Sequence, residues 1–193
     1  LMVLLAQVAP VVLLPLFYKY KPLDRPELKA RLLALAEKCG ARVVDVFELQ
    51  LSAKSKAANA ALAGLGRTRR ILLGDTLLSR YSEDEIEAVL AHELGHHVHA
   101  HLWKLIGAQT GIVFLGFFLA DRLLSWGVSA YGFEDHADLA AFPLLALTFA
   151  VLAVVLLPAV NSLSRQYERE ADRFAAEVTG RPEALVSALE RLA

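Results

Sequence analysis

The run from Leu139 to Val160 contains no charged residue. It is long enough for the ~20 apolar positions that a helix needs to cross the hydrocarbon core of a bilayer. Such a segment must bury itself against the rest of the chain or enter lipid. Composition decides for lipid, because 56% of residues are apolar and the mean hydropathy is +0.44, more than a water-soluble core requires. Pro143 and Pro158 fall inside the run, and membrane helices tolerate proline. Leu105 to Ala120 is a second uncharged run, which reaches spanning length when continued past Asp121 and Arg122 to Val128. Those two charges mark the interface, pair with one another, or line a polar cavity. Leu1 to Phe17 is a third run, apolar apart from Gln7 and interrupted by Pro10 and Pro15. Tyr18-Lys19-Tyr20-Lys21 follows it and reads as an aromatic and basic interfacial edge. A secretory signal is the rival reading of this first run, but no basic segment precedes it and no small-residue cleavage site follows. Because the chain starts at Leu1 rather than Met, it is expected to be a piece of a longer membrane protein.

Charge sets the expected topology. Lys19, Lys21, Arg25, Lys29, Arg31, Lys104, Arg165 and Arg169 flank the apolar runs on one side, whereas the connection from Ser129 to Asp138 carries Glu134, Asp135 and Asp138. The positive-inside rule puts the middle and C-terminal portions in the cytoplasm, joined by a hairpin of two crossings. A residue after Val160 thereby returns to the membrane face it left near Lys104.

On that face lies Ala91-His92-Glu93-Leu94-Gly95-His96. In a helix of ~3.6 residues per turn, His92 and His96 share a face about 6 Å apart along the axis, within reach of one metal ion. Glu93 points beside that face and can take a proton from a metal-activated water without being a ligand. Ser82-Glu83-Asp84-Glu85 reads as a capping box that starts the helix near Glu83. Ile86, Val89 and Leu90 give it an inward apolar side. Gly95 costs a helix ~1 kcal/mol relative to Ala, which points to close approach of something there, such as a substrate strand, simple tolerance of the glycine being the plain alternative.

A catalytic zinc commonly takes three protein ligands, and two His with one Glu is a known set. The third is sought after Val160, in Asn161-Ser-Leu-Ser-Arg-Gln-Tyr-Glu168-Arg-Glu170-Ala-Asp172, which reads as helix until Gly180 with Pro182 just beyond. Glu168 and Asp172 lie one turn apart on one face. Glu168 can ligate while Asp172 holds a ligand imidazole through its other ring nitrogen. Glu170 points elsewhere. A solvated helix of alternating charge is the plain alternative.

The segment between the first run and the metal helix reads as a small α/β region. Arg31 to Lys38 is an amphipathic helix with Leu32, Leu33 and Leu35 inward, ended by Gly40. Arg42 to Leu51 alternates as a strand through Val44, Val46 and Phe47. Ala58 to Leu65 and Arg70 to Leu73 form a further pair around a Gly66 turn. His97 and His99 are expected in solvent, and no direct metal role is expected for them or for His101. Cys39, the single cysteine, has no internal disulfide partner and reads as a helix-end packing residue. Arg67, Arg69 and Arg70 meet lipid phosphates or keep a turn soluble. A net charge of -1 argues against nucleic acid, and no phosphate-binding glycine loop, serine elbow or internal repeat is present.

His92-Glu-Leu-Gly-His96, followed after a two-helix hairpin by Asn161-x-x-Ser-Arg-x-x-Glu168-x-x-x-Asp172, resembles the type I CAAX prenyl proteases and their relatives, the heat-shock membrane zinc proteases. Pro22-Leu23 with Glu27-Leu28-Lys29, Ser55-Lys-Ala-Ala-Asn59-Ala60, and Arg70 to Leu78 match that family in order and approximate spacing. The resemblance implies a membrane endopeptidase with one zinc per chain held by His92, His96 and Glu168. It also places Asn59 and Ala60 on a sheet edge that would pair with extended substrate, an ordinary hairpin being the other reading. His101 aligns with a family histidine. Relatives carry further membrane helices before the segment like Leu1 to Phe17, and a His-Pro and Arg tail beyond the point where this chain stops.

The expected protein is mainly α and integral to the membrane, with a zincin-like metalloprotease core, a small β-sheet and transmembrane helices. Its parts are a membrane helix over 1–18, a cytoplasmic catalytic region over 19–104, a membrane hairpin over 105–160 and a cytoplasmic helical region over 161–193. Its expected chemistry is zinc-assisted hydrolysis with Glu93 as base. Expected partners are membrane lipids and a peptide or protein substrate, lipid-modified in the prenyl-protease case. Quality-control cleavage of misfolded membrane proteins is the first alternative and a non-proteolytic metal-binding assembly factor the second. The expected location is the cell inner membrane, or the endoplasmic reticulum in a eukaryote, with the site facing the cytoplasm.

Overall fold

The computed structural model describes residues 20–52, 59–64, 68–131 and 142–192. The expected membrane helix over Leu1 to Phe17, Tyr18 and Lys19, Ser55 to Ala58, the Gly66 turn with Arg67, and the acidic connection at Glu134 to Asp138 lie outside the described residues. Among the described residues ten elements follow in order: β1 (Tyr20–Pro22), α1 (Pro26–Lys38), β2 (Val46–Leu49), β3 (Ala60–Ala63), β4 (Arg70–Gly74), α2 (Asp75–Arg80), α3 (Glu83–Val98), α4 (His101–Tyr131), α5 (Phe142–Thr179) and α6 (Pro182–Leu192). They divide into two compact units, one ending at His99 and resuming at Glu168, the other spanning Ala100–Tyr167.

In the first unit the strands form one mixed sheet in the order β1-β2-β4-β3, with β2 and β4 parallel and the outer pairs antiparallel. Tyr20 and Lys21, expected at a membrane interface, are instead part of β1, paired with Leu49 and Glu48. Tyr20 meets the Phe47 ring edge-on at 5.4 Å, and the Arg70 guanidinium lies 5.4 Å over the same Phe47 ring. Arg70 is thus a cover for an aromatic pair. The strand expected over Arg42 to Leu51 is shorter, Val46–Leu49, although Val44 N already donates to the Arg69 carbonyl at 2.8 Å and Val44 is 60% exposed.

Helix α1 begins with Pro26 at its first position, where the missing N–H costs no hydrogen bond. It buries Leu28, Leu32, Leu35 and Ala36, leaving Leu33 only partly covered. Gly40, at φ +69, takes the left-handed turn after it, as a residue without Cβ does most easily. Cys39 is the half-buried C-cap, and burial pushes its thiol up. The core joins these α1 residues to Val46, Ile71 and Leu73 of the sheet and to Ile86, Leu90 and Leu94 of α3.

Helix α3 starts as the capping box requires. Ser82 Oγ accepts from Glu85 N at 3.3 Å, and Glu85 Oε2 accepts from Ser82 N at 2.7 Å. Glu85 does more than cap. It accepts from Ser187 Oγ at 2.7 Å and from Arg191 Nη1 at 3.1 Å, which fastens α6 to the start of α3. Gly180 (φ +65) ends α5, and Pro182 opens α6. Arg181 binds Asp84 at 2.6 Å, and Arg31 of α1 pairs with Asp84 at 2.5 Å and with Glu83 and Glu87. Lys38 Nζ donates to the Val178 carbonyl at 2.8 Å. The C-terminal end of α5 is therefore tied to both α1 and α3 within this unit.

The second unit holds α4 and the N-terminal part of α5, both long and apolar enough to cross a membrane. Their apolar side chains point outward, with Phe114 72% and Val154 71% exposed. Close packing occurs at Gly116, where an added Cβ would stand 3.1 Å from the Phe149 ring. The helix that starts at Phe142 continues through Pro158 and Asn161 without interruption to Thr179.

Candidate metal centre

The site is assembled from two helices of the first unit. His92 and His96, four residues apart on α3, bring their Nε2 atoms to 3.2 Å with the rings edge-on. Glu168 on α5 sets Oε2 3.3 Å from His92 Nε2 and 3.6 Å from His96 Nε2. Two imidazole nitrogens and a carboxylate oxygen therefore form a nearly regular triangle.

Its size can be set against that of a metal site. Ligand atoms on a tetrahedral zinc at ~2.0–2.1 Å bonds are separated by about 3.3 Å, and the three observed edges bracket that value. The set also has the right softness, since imidazole and carboxylate are common ligands of that ion.

Asp172, one turn beyond Glu168, accepts a hydrogen bond from His92 Nδ1 at 2.9 Å. The proton is thereby held on Nδ1, which leaves the Nε2 lone pair directed at the triangle. A sequence-level pairing of Glu168 with Asp172 on one face thus becomes two contacts to the same imidazole. Glu170 is not part of the cluster that could hold a metal ion among the described residues.

Glu93 is half-buried beside the donors. Burial raises its carboxyl above the ordinary range; a charged His92 pulls the other way, and the Glu168 carboxylate adds to the rise. These are the conditions that turn a carboxyl group into a proton carrier near neutral pH.

The structure corrects three readings at this helix. Gly95 faces neither solvent nor an open strand site. It meets α5, where an added Cβ would be 3.0 Å from Ala171 Cα. His99 is not in free solvent, because its Nδ1 donates to the Gly95 carbonyl at 2.9 Å and its ring abuts Phe174 edge-on at 5.6 Å. His97 is half-buried as well, and burial together with nearby Arg69 holds it below its ordinary pKa. His101, in the second unit, is buried and stacks on Tyr167 at 4.4 Å.

Ala60 opens β3, an outer strand of the sheet, and Asn59 directly precedes it. The Asn59 carbonyl accepts from Gly74 N at 2.8 Å, and Ala60 pairs with Leu73. Asp75, just after β4, was not singled out by sequence reasoning. It accepts from Leu51 N and Ser52 N at 3.0 Å each and from Ser52 Oγ at 2.5 Å. Burial pushes the Asp75 carboxyl up, but these donors, with Thr76 N, hold it below its usual range. Its only sequence signal was membership in the Arg70 to Leu78 segment.

One unit with two helices long and apolar enough to cross a membrane, and another with a mixed sheet and a helix bearing His-Glu-x-x-His, are features of the membrane metalloproteases with a zincin-like core as a class. The chain belongs to peptidase family M48, which matches residues 22–193. A protein named "Uncharacterized metalloprotease YhfN" of Bacillus subtilis is 35% identical over 190 residues, covering 96% of this chain and 45% of that protein. The "CAAX prenyl protease 1 homolog" of Oryza sativa is 32% identical over 187 residues, covering 95% of this chain and 44% of its own. The crystal structure of S. mikatae Ste24p superposes with a TM-score of 0.75 at 30% identity, over 99% of this chain and 48% of that one. The chain spans about half the length of the curated relatives it matches.

Proposed function

We propose that this chain carries the zinc site of a membrane endopeptidase that hydrolyses peptide bonds in membrane-associated substrates, in the manner of the CAAX prenyl proteases. The observation that carries this reading is the triangle of His92 Nε2, His96 Nε2 and Glu168 Oε2, with edges of 3.2, 3.3 and 3.6 Å. His92, His96 and Glu168 would hold one zinc ion, and Asp172 would orient His92. Zinc when bound supplies Lewis acidity and eases ionisation of water. Glu93 takes a proton from the attacking water and returns it to the leaving amine, so no acyl-enzyme forms. The outer side of β3, from Asn59 and Ala60, holds extended substrate by backbone hydrogen bonds. The relatives named as prenyl proteases support a lipid-modified substrate.

The basic residues flanking the apolar runs support a site facing the cytoplasm, in an inner or endoplasmic reticulum membrane. A reporter fused at Phe133 and active only in the cytoplasm would reverse that orientation.

Replacing Glu93 by Gln tests the chemistry. Peptide cleavage by the protein in detergent should fall by ~10²-fold or more, with zinc content near one per chain. Loss of the metal in this variant would remove Glu93 from the role of base. Zinc retention with undiminished cleavage would do the same.

A further inference from the structure

The contact between Gly95 and Ala171 joins the two helices that carry the donors, and its position in both sequences is informative. Gly95 immediately precedes His96. Ala171 is fully buried and lies between Glu168, one turn before it, and Asp172, directly after it. A Cβ on Gly95 would stand 3.0 Å from Ala171 Cα, 3.3 Å from the Ala171 carbonyl oxygen and 3.3 Å from Phe174 Cδ1. Favourable carbon contacts begin at about 3.5 Å. Two of the three obstacles are helix backbone, which has no rotamer to change.

The surroundings brace the contact. Phe174 is pinned by the ring of His99, whose Nδ1 is bonded to the Gly95 carbonyl itself. A side chain at position 95 can be accommodated only if α5 retreats from α3 by several tenths of an ångström, and Glu168 retreats with it. Gly107 and Gly111 are not constrained in this way, since a Cβ on either would meet nothing within 4 Å.

We infer that Gly95 is a positioning residue: its contact with Ala171 sets the width of the three-donor site and so matches that site to a small cation such as Zn2+. The inference rests on the zinc reading above and adds the device that fixes the spacing. A wider triangle disfavours a short-bonded ion more than a long-bonded one of similar ligand preference. Cd2+ has longer bonds to the same donors, so the ratio of zinc to cadmium affinity reports width.

The experiment is chelator competition with Zn2+ and with Cd2+ on the protein in detergent, in wild-type, Gly95→Ala and Gly111→Ala forms. Gly95→Ala should weaken zinc binding by ~10- to 100-fold, as loss of a ligand's support does, and weaken cadmium binding less. Overpacking should also lower the metal-free melting temperature, so the zinc-to-cadmium affinity ratio and not stability carries the test, and Gly111→Ala should leave that ratio unchanged. Should Gly95→Ala fail to fold, Gly95→Ala with Phe174→Leu removes the ring obstacle and keeps the backbone ones. Unchanged zinc affinity, or equal loss of both metals, would overturn the inference. Absence of zinc binding in the wild type would overturn the zinc reading itself, a result visible before any substitution is made.

Discussion

The two units use apolar residues in opposite ways. In the first, Leu28, Leu32, Ile71, Leu73, Ile86 and Leu90 have no exposed surface and form a core between sheet and helices. In the second, Phe114, Phe117, Val154 and Val155 are mostly exposed. The first unit is built for water, which drives its apolar side chains inward and lets a polar site form where helices meet. The second makes sense only if its surroundings are apolar, so that outward Phe and Val lose nothing. Burial therefore marks importance to stability in one unit, and exposure marks fitness for lipid in the other.

That contrast can be broken most directly by truncation. Leu90→Ala should cost about 2–5 kcal/mol of stability, the range for emptying a packed leucine site. Phe114→Ala should stay within about 0.5 kcal/mol. Thermal unfolding of both variants in detergent checks the difference, and similar losses would dissolve the distinction between the units.

Charge probes the second unit alone. Val151→Arg, near the centre of the Leu139 to Val160 run, should oppose membrane insertion by about 2.5–3.5 kcal/mol. A glycosylation-mapped insertion assay reads this, and unimpaired insertion would argue that the face does not meet lipid.

Within the first unit the donors should rank by contact. Glu168→Ala should lower zinc affinity most, and Asp172→Ala by roughly 10- to 100-fold through release of His92. Glu170→Ala should change it least. Chelator competition ranks them, and zinc loss only in Glu170→Ala would discard the ligand set.

The smallest effect is expected from acid. The Ser187 hydroxyl, against the opposing pull of burial and with help from Ser82 and Arg191, holds the Glu85 carboxyl below its usual range. A depressed folded-state pKa means this stabilisation is complete above the unfolded value of ~4.3 and fades as pH falls through the folded one. The melting-temperature gap between wild type and Glu85→Gln should accordingly narrow below about pH 4. A gap that widens there would reverse the assignment.

Periodicity and length were legible in the chain wherever the interaction is local. The start of α3 at Glu83 follows from bonds between Ser82 and Glu85, three residues apart. The shared face of His92 and His96 follows from helical pitch. The spans in α4 and α5 follow from uncharged length alone.

Contacts between distant segments were not legible, because side-chain type does not encode which surfaces meet. Nothing local to Tyr20 and Lys21 distinguishes a membrane edge from a strand, and only pairing with Leu49 and Glu48 decides it. His99 looked like a solvated histidine until Phe174, far along the chain, was packed against it. Gly95 showed by its helix cost that something approaches closely, but a glycine records only the absence of a Cβ and not the identity of its neighbour.

The sequence by itself determined the chemistry available: two imidazoles on one helical face, a carboxylate between them, a pair of carboxylates one turn apart on another helix, and helices too apolar for water. Tertiary structure alone decided that Glu168 Oε2 comes to 3.3 Å from His92 and that Asp172 reaches the far side of the same ring. Those distances depend on how closely two helices far apart in the chain can pack, and at Gly95 and Ala171 backbone meets backbone.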